Sequence, residues 1–343
     1  MDNIEIFLRK AVKDGVFPGC CAVIIHNHEH HFYCAGNRAI FPAPILNTMD
    51  TMYDMASLTK VIVTTTLTLQ MMENHLFTLD TPVRKILPEF SHDHVKIVHL
   101  LTHTSGLPAD HPDKRTVSGK QIEKDIFHMD LLFELGTQVL YSDLGFILLK
   151  EILETVTDTP LALLAKTQIF EPLHMSDTCF NPSHKEFCAP TTCDETTHCY
   201  LQGTVHDIKC RKMGGISGHA GVFSTITDMS HFLNMLVHNG IYDGNTILNA
   251  TSMQYLHTVF TPPHTPKRTL GYLCKDENSI FPSLSSASSI AHTGFTGTSI
   301  LCDFESHLGI VLLSNRIHPS RDNNAILSWR KQFHEVVYTQ ILK

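Results

Sequence analysis

The chain has 343 residues, of which 43% are hydrophobic and 17% charged, a composition typical of a globular protein with a substantial core. Its formal net charge is −8 and no segment is rich in Lys or Arg, which argues against nucleic-acid binding. No apolar run approaches the ~20 residues that a transmembrane helix needs. The length fits two domains or one large α/β unit.

The first residues, MDNIEIFLRKAVKDG, include acidic side chains and lack the apolar stretch of a secretory signal. The chain as given is therefore predicted to be cytoplasmic, or periplasmic or secreted if a signal has been removed. Its ten cysteines are irregularly spaced, unlike those of a disulfide scaffold, and are predicted to be reduced thiols.

The N-terminal region is predicted to form a helix followed by a β-hairpin. Residues 2–14 have apolar side chains at helical spacing, and Gly15 ends the pattern. Two β-rich runs follow at 21–26 and 30–36, separated by a turn at Asn27.

The middle of the chain is predicted to be mainly helical, because its apolar residues recur with a period near 3.6. The predicted helices span 57–76, 119–135, 143–157, 160–170, 226–238 and 246–259.

The C-terminal region returns to strands. Residues 289–304 and 308–316 are rich in β-branched side chains and predict an antiparallel hairpin, and an amphipathic helix is predicted from Asn324. Strands at both chain ends around a helical middle predict an α/β (α+β) fold, in which an antiparallel sheet is flanked by the terminal helices and carries an inserted all-α region. We expect residues 1–54 and 261–343 to form the sheet domain and 55–260 the helical domain, with the active site between them.

The segment Ser57-Leu58-Thr59-Lys60 is a candidate nucleophile and base. Residues three apart share a helix face, so the Ser57 hydroxyl and the Lys60 amine can come within hydrogen-bond distance. Serine needs a base to become a nucleophile, and a partly desolvated lysine can serve. Asp54 is the expected N-cap, which would place Ser57 in the first helical turn.

Two further motifs are candidates with structural alternatives. Tyr141-Ser142-Asp143 begins a predicted helix, and a tyrosine beside an ammonium group can relay protons; the alternative is a core tyrosine with Asp143 as helix cap. His292-Thr293-Gly294 opens a strand whose glycine permits close approach of a ligand to the backbone; the alternative is a bulged strand.

The order of these three motifs resembles that of class C β-lactamases, low-molecular-weight penicillin-binding proteins and related esterases. The segments YDMASLTKV, HLLTHTSGLP, YSDLGFILL, GTVHDIKCRKMGGISGHAGVFST, HTGFTGTS and LLSNRIHP are similar to recurrent segments of that serine β-lactamase-like superfamily, in its order, over nearly the whole chain.

The resemblance implies a serine acyl hydrolase that works without a cofactor or metal. Ser57 would form an acyl-enzyme, and Lys60 and Tyr141 would share the proton transfers. The backbone N–H groups of Ser57 and Phe295 would bind the oxyanion. The partner would be a small molecule or a short peptide or ester.

Two residues depart from the family pattern. Asp143 stands where many β-lactamases have an Asn that donates a hydrogen bond to the substrate. An ionised Asp only accepts hydrogen bonds, so recognition of a β-lactam side-chain carbonyl is weakened, unless Asp143 serves instead to tether Lys60. His292 replaces the lysine of the usual K-T-G, which weakens attraction for a substrate carboxylate at neutral pH. Both changes favour an esterase or a peptidase-like amidase. A D-alanyl-D-alanine carboxypeptidase or class C-type β-lactamase is the nearest alternative, and a non-catalytic penicillin-binding or scaffold protein is the alternative of another class.

The remaining candidates are weaker. His219, in a small-residue loop, and Arg316, at a strand end, are predicted as cleft residues beside structural alternatives. Three groups of residues are candidate metal ligands, but other interpretations are favoured for each. The two histidine clusters are more typical of exposed turns, and the spacing of the Cys/His group fits no paired C-x₂-C pattern. The groups are His26, His28, His30 and His31; His92, Asp93, His94, His99 and His103; and Cys188, Cys193, His198, Cys199 and His206.

Overall fold

The computed structural model describes residues 2–276 and 280–342. The strands, in chain order, are β1 (Gly19–His26), β2 (Glu29–Ala39), β3 (Ile45–Leu46), β4 (Tyr53–Asp54), β5 (Cys179–Phe180), β6 (Val222–Ser224), β7 (Ile241–Tyr242), β8 (Asn245–Thr246), β9 (Leu273–Cys274), β10 (Ile290–Thr293), β11 (Ser299–Asp303) and β12 (Leu308–Ser314). The α-helices are α1 (Asn3–Lys13), α2 (Thr66–Glu73), α3 (Val83–Ile86), α4 (Ile97–Leu101), α5 (Gly119–Ile126), α6 (Asp143–Thr157), α7 (Leu161–Ala165), α8 (Ile208–Lys212), α9 (Ile226–Val237), α10 (Ala250–Leu256) and α11 (Ile326–Ile341). Short 3-10 segments lie at Ala56–Leu58 and Lys185–Phe187, and π-helical segments at Lys60–Thr65 and Lys166–Phe170.

Seven strands form one antiparallel sheet, in the order β3-β2-β1-β12-β11-β10-β9. The two ends of the chain meet at its centre, where Val23 of β1 lies opposite Val311 of β12. This sheet, with helices on both faces, confirms the predicted fold class.

Strand β1 is buried on both faces because each face has its own core. Ile24 lies in the cluster that α1 and α11 form with the sheet, together with Phe333. Val23, one residue earlier, lies in the other cluster, together with Leu233 of α9. Successive side chains of a strand point to opposite faces, so β1 is an apolar run without polar alternation.

Helix α9 comes from the middle of the chain yet packs directly on the sheet. The division into a sheet domain (1–54 and 261–343) and a helical domain (55–260) stays a prediction. In the described residues, no helix is both long and apolar enough to cross a bilayer.

The predicted helix 57–76 is helical but not a uniform α-helix. It begins as the 3-10 turn Ala56–Leu58, continues as the π-helix Lys60–Thr65 and ends as α2 at Glu73. A run of threonines accounts for the irregularity, because threonine hydroxyls compete for helix carbonyls. Thr66 Oγ1 donates to the Val61 carbonyl at 2.9 Å, five residues back.

Three other predicted elements are shorter in the structure. The predicted helix 246–259 forms only α10, Ala250–Leu256, because Thr246 belongs to strand β8. The predicted strand 289–304 is divided into β10 and β11 by a turn that the Gly294 N–H closes on the Thr298 carbonyl at 2.8 Å. The predicted helix 119–135 ends at Ile126, and the Leu132 N–H donates instead to the Gly106 carbonyl at 2.8 Å.

Candidate active site

The nucleophile candidate lies in a sharp turn. Ala56 has a φ of 47°, a left-handed conformation that is unfavourable for a residue with a Cβ. Asp54 holds this turn: its Oδ1 accepts from the Ala56 N–H at 2.8 Å and its Oδ2 from the His206 N–H at 2.7 Å. The N-cap of the 3-10 turn is Met55, one residue after the predicted Asp54, although the Asp54 carboxylate does accept from the first N–H of the turn. Burial raises the pKa of Asp54 to about 6.

Ser57 and Lys60 are in contact as their spacing predicts. The Lys60 Nζ lies 3.2 Å from the Ser57 Oγ. Lys60 is fully buried, whereas Ser57 is partly exposed. The hydroxyl therefore faces the solvent side and the amine supports it from within the core.

Asp143 tethers Lys60. The Lys60 Nζ donates to the Asp143 Oδ1 at 2.8 Å and to the His219 carbonyl at 3.2 Å. Burial alone would lower the pKa of Lys60, but the Asp143 carboxylate and Tyr141 outweigh it and raise that pKa. Burial would likewise raise the pKa of Asp143, yet Lys60 and His219 hold it below its usual value. The resting pair is therefore ionised.

A second buried lysine, which the sequence analysis missed, completes this network. The Lys209 Nζ lies 3.0 Å from the Asp143 Oδ2, 3.3 Å from the Asp207 Oδ2 and 2.8 Å from the Asp110 Oδ1. These carboxylates outweigh the effect of burial and raise the pKa of Lys209. The lysine stands within a segment that resembles the family, but its partners at 110 and 143 are distant in sequence.

His219 is 1% exposed and bridges two side chains. Its Nε2 lies 2.8 Å from the Asp207 Oδ1 and its Nδ1 2.9 Å from the Ser217 Oγ. Asp143, Asp207 and His219 offer ligand atoms within 4.8 Å of one another, a spacing that could suit a metal. The Lys209 ammonium contacts both carboxylates, so it already supplies the positive charge at this position.

Tyr141 lies between the lysine and a group of cationic or buried side chains. The Lys60 Nζ is 4.9 Å from the centroid of its ring, and the Arg268 Cζ is 5.5 Å from the same centroid. The centroid of the His103 ring lies 4.4 Å from that of Tyr141, with the ring planes inclined by 34°. Tyr141 also lines the open cleft, so its position joins Lys60 to the solvent side of the site.

His292 is placed differently from the lysine it was expected to replace. It is 2% exposed and lies 6.1 Å from the Tyr141 ring, and it does not line the cleft. Burial, Lys60 and Arg268 lower its pKa well below the usual value, so it is neutral. Thr293, which is partly exposed, and the buried Gly294 are not among the residues that line the cleft.

The turn after β10 is fixed to the nucleophile segment. Thr296 Oγ1 donates to the Asp54 carbonyl at 2.7 Å, and Thr298 Oγ1 donates to the Met55 carbonyl at 3.1 Å. A Cβ on Gly294 would meet the Met55 carbonyl oxygen at 2.7 Å, which explains the glycine at this close approach.

Phe295, at the tip of this turn, is 43% exposed and lines the cleft. Its ring stacks on that of His206, with centroids 5.3 Å apart and planes inclined by 12°. Arg316 lies behind it, 4% exposed, and its Nε donates to the Phe295 carbonyl at 3.0 Å. Arg316 therefore positions the turn rather than lining the cleft.

The cleft over Ser57 has a volume of about 770 Å³, within the range of small-molecule sites. It brings together Ser57, Tyr141, Asp143, His219 and Phe295. Its walls carry charges of both signs, from Asp110, Lys114, Arg115, Asp194, Glu195, Asp207, Lys209, Arg211 and Arg321.

A protein-family model described as Beta-lactamase matches residues 5–332. The chain belongs to the Beta-lactamase family. It is 32% identical over 314 residues to a putative D-alanyl-D-alanine carboxypeptidase of Salmonella agona (strain SL483), covering 80% of this chain and 72% of that one. A protein of the same description from Salmonella typhi matches equally well.

Several solved structures share the fold at low sequence identity. Simvastatin synthase from Aspergillus terreus has a TM-score of 0.80 at 18% identity, covering 99% of this chain and 98% of that one. A class C β-lactamase from Rhodobacter sphaeroides has a TM-score of 0.79 at 19% identity, covering both chains fully. EstCE1, a hydrolase with promiscuous acyltransferase activity, has a TM-score of 0.77 at 18% identity over 97% of both. The Beta-lactamase family comprises serine hydrolases, and this chain is a serine acyl hydrolase of that kind.

Proposed function

We propose that this Beta-lactamase family member hydrolyses the acyl bond of small, polar, peptide-like substrates through an acyl-enzyme on Ser57. The observation that carries the proposal is the 3.2 Å contact between the Lys60 Nζ and the Ser57 Oγ at the base of the cleft. A non-catalytic binding protein has no physical need for this arrangement.

In the acylation step, the Ser57 Oγ attacks the substrate carbonyl carbon and the bond to the leaving group breaks. Lys60 is charged in the resting site because of Asp143, so it stabilises the ionised Oγ. The Tyr141 oxygen accepts the Ser57 proton as its own hydroxyl proton passes to the leaving group, so the phenol stays neutral through the step. We assign the oxyanion site to the backbone N–H groups of Ser57 and Phe295. Among the turn and loop hydrogen bonds of the described residues, neither N–H donates to a backbone carbonyl, so both are available to bind the oxyanion.

Deacylation uses the same groups in reverse. Water attacks the acyl carbonyl, Tyr141 accepts its proton, and the proton returns to the Ser57 Oγ as the acid product leaves. The Lys60–Asp143–Lys209 network keeps its charges throughout this cycle, because each ion is paired.

The charged cleft walls favour a peptide-like amide over an apolar ester. Arg115, Arg211 and Arg321 line the cleft together with several carboxylates, which suits a substrate with several polar groups. The Salmonella relatives bear the name D-alanyl-D-alanine carboxypeptidase, and we propose a peptide of that class as the first substrate to test.

Ester hydrolysis is the second candidate function. The neutral, buried His292 gives no full positive charge to hold a substrate carboxylate, and Asp143 is occupied by two lysines rather than donating to substrate. Both observations favour a substrate whose acyl group carries no strong anion nearby.

A single activity panel tests both candidates. The wild-type protein and S57A are compared on a peptide ending in D-Ala-D-Ala, a short-chain p-nitrophenyl ester and a chromogenic cephalosporin. We expect turnover of the peptide, weaker turnover of the ester, and loss of at least 10³-fold in S57A, because the nucleophile is gone.

Each outcome has a clear meaning. Ester turnover without peptide turnover selects the second candidate, and fast cephalosporin hydrolysis alone would contradict both. Mass spectrometry after incubation with a fluorophosphonate or a penicillin then locates the adduct. An unmodified Ser57 under all conditions would rule out the acyl-enzyme.

A further inference from the structure

Histidines from two distant parts of the chain converge at the end of the sheet. His28, in the β1–β2 turn, has its Nδ1 3.1 Å from the Nε2 of His238, the residue that follows α9. The two ring centroids are 4.8 Å apart and the ring planes are inclined by 18°. The residues are 210 positions apart, so only the fold brings them together.

The sheet register directs a third histidine toward the same place. His30 lies opposite Ile25 across the β1–β2 pair, and cross-strand partners share a face. Ile25 belongs to the core that α9 covers, so His30 faces α9 as well. His31 lies opposite Ile24 and points to the other face of the sheet.

The backbone contacts of His231 and His238 fix which nitrogen of each ring carries the lone pair. The His238 Nδ1 is 2.9 Å from the Asn234 carbonyl, and the His231 Nδ1 is 3.2 Å from the His174 carbonyl. A carbonyl only accepts, so each Nδ1 must carry its proton, and in the neutral imidazole the lone pair is then on Nε2. The His238 Nε2 accepts from the His28 Nδ1 in this structure, so a metal ion between them would require the His28 proton to move to its Nε2. A backbone carbonyl on the non-ligating nitrogen is the usual support of a metal-binding histidine.

We propose that His28 and His238 bind one divalent transition-metal ion, with His30 as the neighbouring third ligand. An ion ~2.05 Å from both nitrogens would make an N–metal–N angle of about 98°, between the octahedral and tetrahedral values. Imidazole ligands suit Zn²⁺, Ni²⁺ and Cu²⁺. The described residues form no ready-made triad here, so His30 joins by a side-chain rotation and water completes the coordination.

His30 lies near the His231 and His238 rings, on the face of the sheet that α9 covers. The ion would join the β1–β2 turn to the end of α9 and so clamp the sheet to the helix that covers it. This proposal is independent of the proposed catalytic function.

Calorimetric titration with Zn²⁺ at pH 7.5 tests the site. We expect one equivalent bound by the wild type and at least tenfold weaker affinity in H28A and in H238N, whose amide nitrogen can still donate to the Asn234 carbonyl. H30A should weaken binding several-fold. H31A is the matched control, because His31 lies on the same hairpin but on the other face, and it should bind as the wild type does.

Thermal unfolding supplies a second readout that does not depend on activity. Zn²⁺ should raise the Tm of the wild type and of H31A but not of H28A or H238N, and all four should share one Tm in chelator. A chelator should leave the labelling of Ser57 by a fluorophosphonate unchanged. The proposal fails if no stoichiometric site is found, or if H31A weakens binding as much as H28A does.

Discussion

At the nucleophile, two buried ammonium groups share one carboxylate. Asp143 accepts from Lys60 on one oxygen and from Lys209 on the other, and Lys209 in turn contacts Asp207. A buried ion that loses its partner retains its desolvation cost, so each member of such a network depends on the others. Lys209 lines the cleft wall but is only 1% exposed, so we expect it to act on the reaction through Asp143.

Replacing Lys209 by Met should lower the free energy of unfolding by about 3 kcal/mol at neutral pH, because one oxygen each of the partly exposed Asp110, Asp143 and Asp207 loses its ammonium partner. Urea denaturation measures this loss. Lys166, whose side chain is 64% exposed, is the matched control, and K166M should change stability by less than about 0.5 kcal/mol.

The K209M variant should also alter the pH dependence of the free energy of unfolding. Asp143 and Asp207 have pKa values below their usual range in the folded protein, so the stability they contribute is present above about pH 4 and is lost as pH falls further. Without Lys209 these pKa values are less depressed, and the fall in stability between pH 7 and pH 3 should be shallower. An equally steep fall in K209M would contradict this account.

At the scale of elements, the turn between β10 and β11 is held against the nucleophile segment by threonine hydroxyls. Thr296 and Thr298 donate to carbonyls of Asp54 and Met55, which immediately precede the strained Ala56. Arg316 holds the far side of the turn through the Phe295 carbonyl. The position of the Phe295 N–H relative to Ser57 therefore depends on these contacts.

Replacing Thr296 by Val keeps the side-chain shape but removes the hydroxyl bond to the Asp54 carbonyl. We expect kcat to fall about tenfold while KM changes little, because a shifted Phe295 N–H binds the oxyanion less well. Steady-state kinetics with the best substrate of the panel measures both values. T258V, which removes a surface hydroxyl bond to the Gln254 carbonyl, should leave kcat unchanged.

Whether a side-chain contact of the site can be predicted from the sequence depends on how far apart its two residues are along the chain. Ser57 and Lys60 are one helical turn apart, so their contact follows from local geometry. Tyr141 is distant in sequence, but the resemblance to the family predicted that it belongs to the same site, and it lies beside Lys60 in the structure. The role of Lys209 could not be predicted, since its contact with Asp143 spans 66 residues. The burial of His292 and Arg316 was missed because the strand pattern does not show which residues line the cleft.

At the scale of the whole molecule, the site depends on elements that contribute nothing to its chemistry. The N-terminal and C-terminal strands form one sheet only because β1 pairs with β12. Helices α1 and α11 together cover the outer face of that sheet. The stacked rings of Phe7, Trp329 and Phe333 join the two helices. The amphipathic spacing of the terminal helices and the strand patterns at both chain ends made this layer and its sheet predictable, whereas the register of β1 on β12 did not follow from the pattern.

Replacing Phe333 by Ala should therefore destabilise the entire fold without changing the active-site chemistry. Phe333 is fully buried, and deleting its ring should cost about 3–5 kcal/mol in urea denaturation. Leu327 lies on the same helix and is 58% exposed, so L327A should change stability by less than about 0.5 kcal/mol. At a temperature where both variants are folded, the rate at which a fluorophosphonate labels Ser57 should equal that of the wild type. Slower labelling of folded F333A would instead mean that α11 influences the turn after β10, for which the contact of Arg330 with the Gly297 carbonyl at 3.4 Å provides the path.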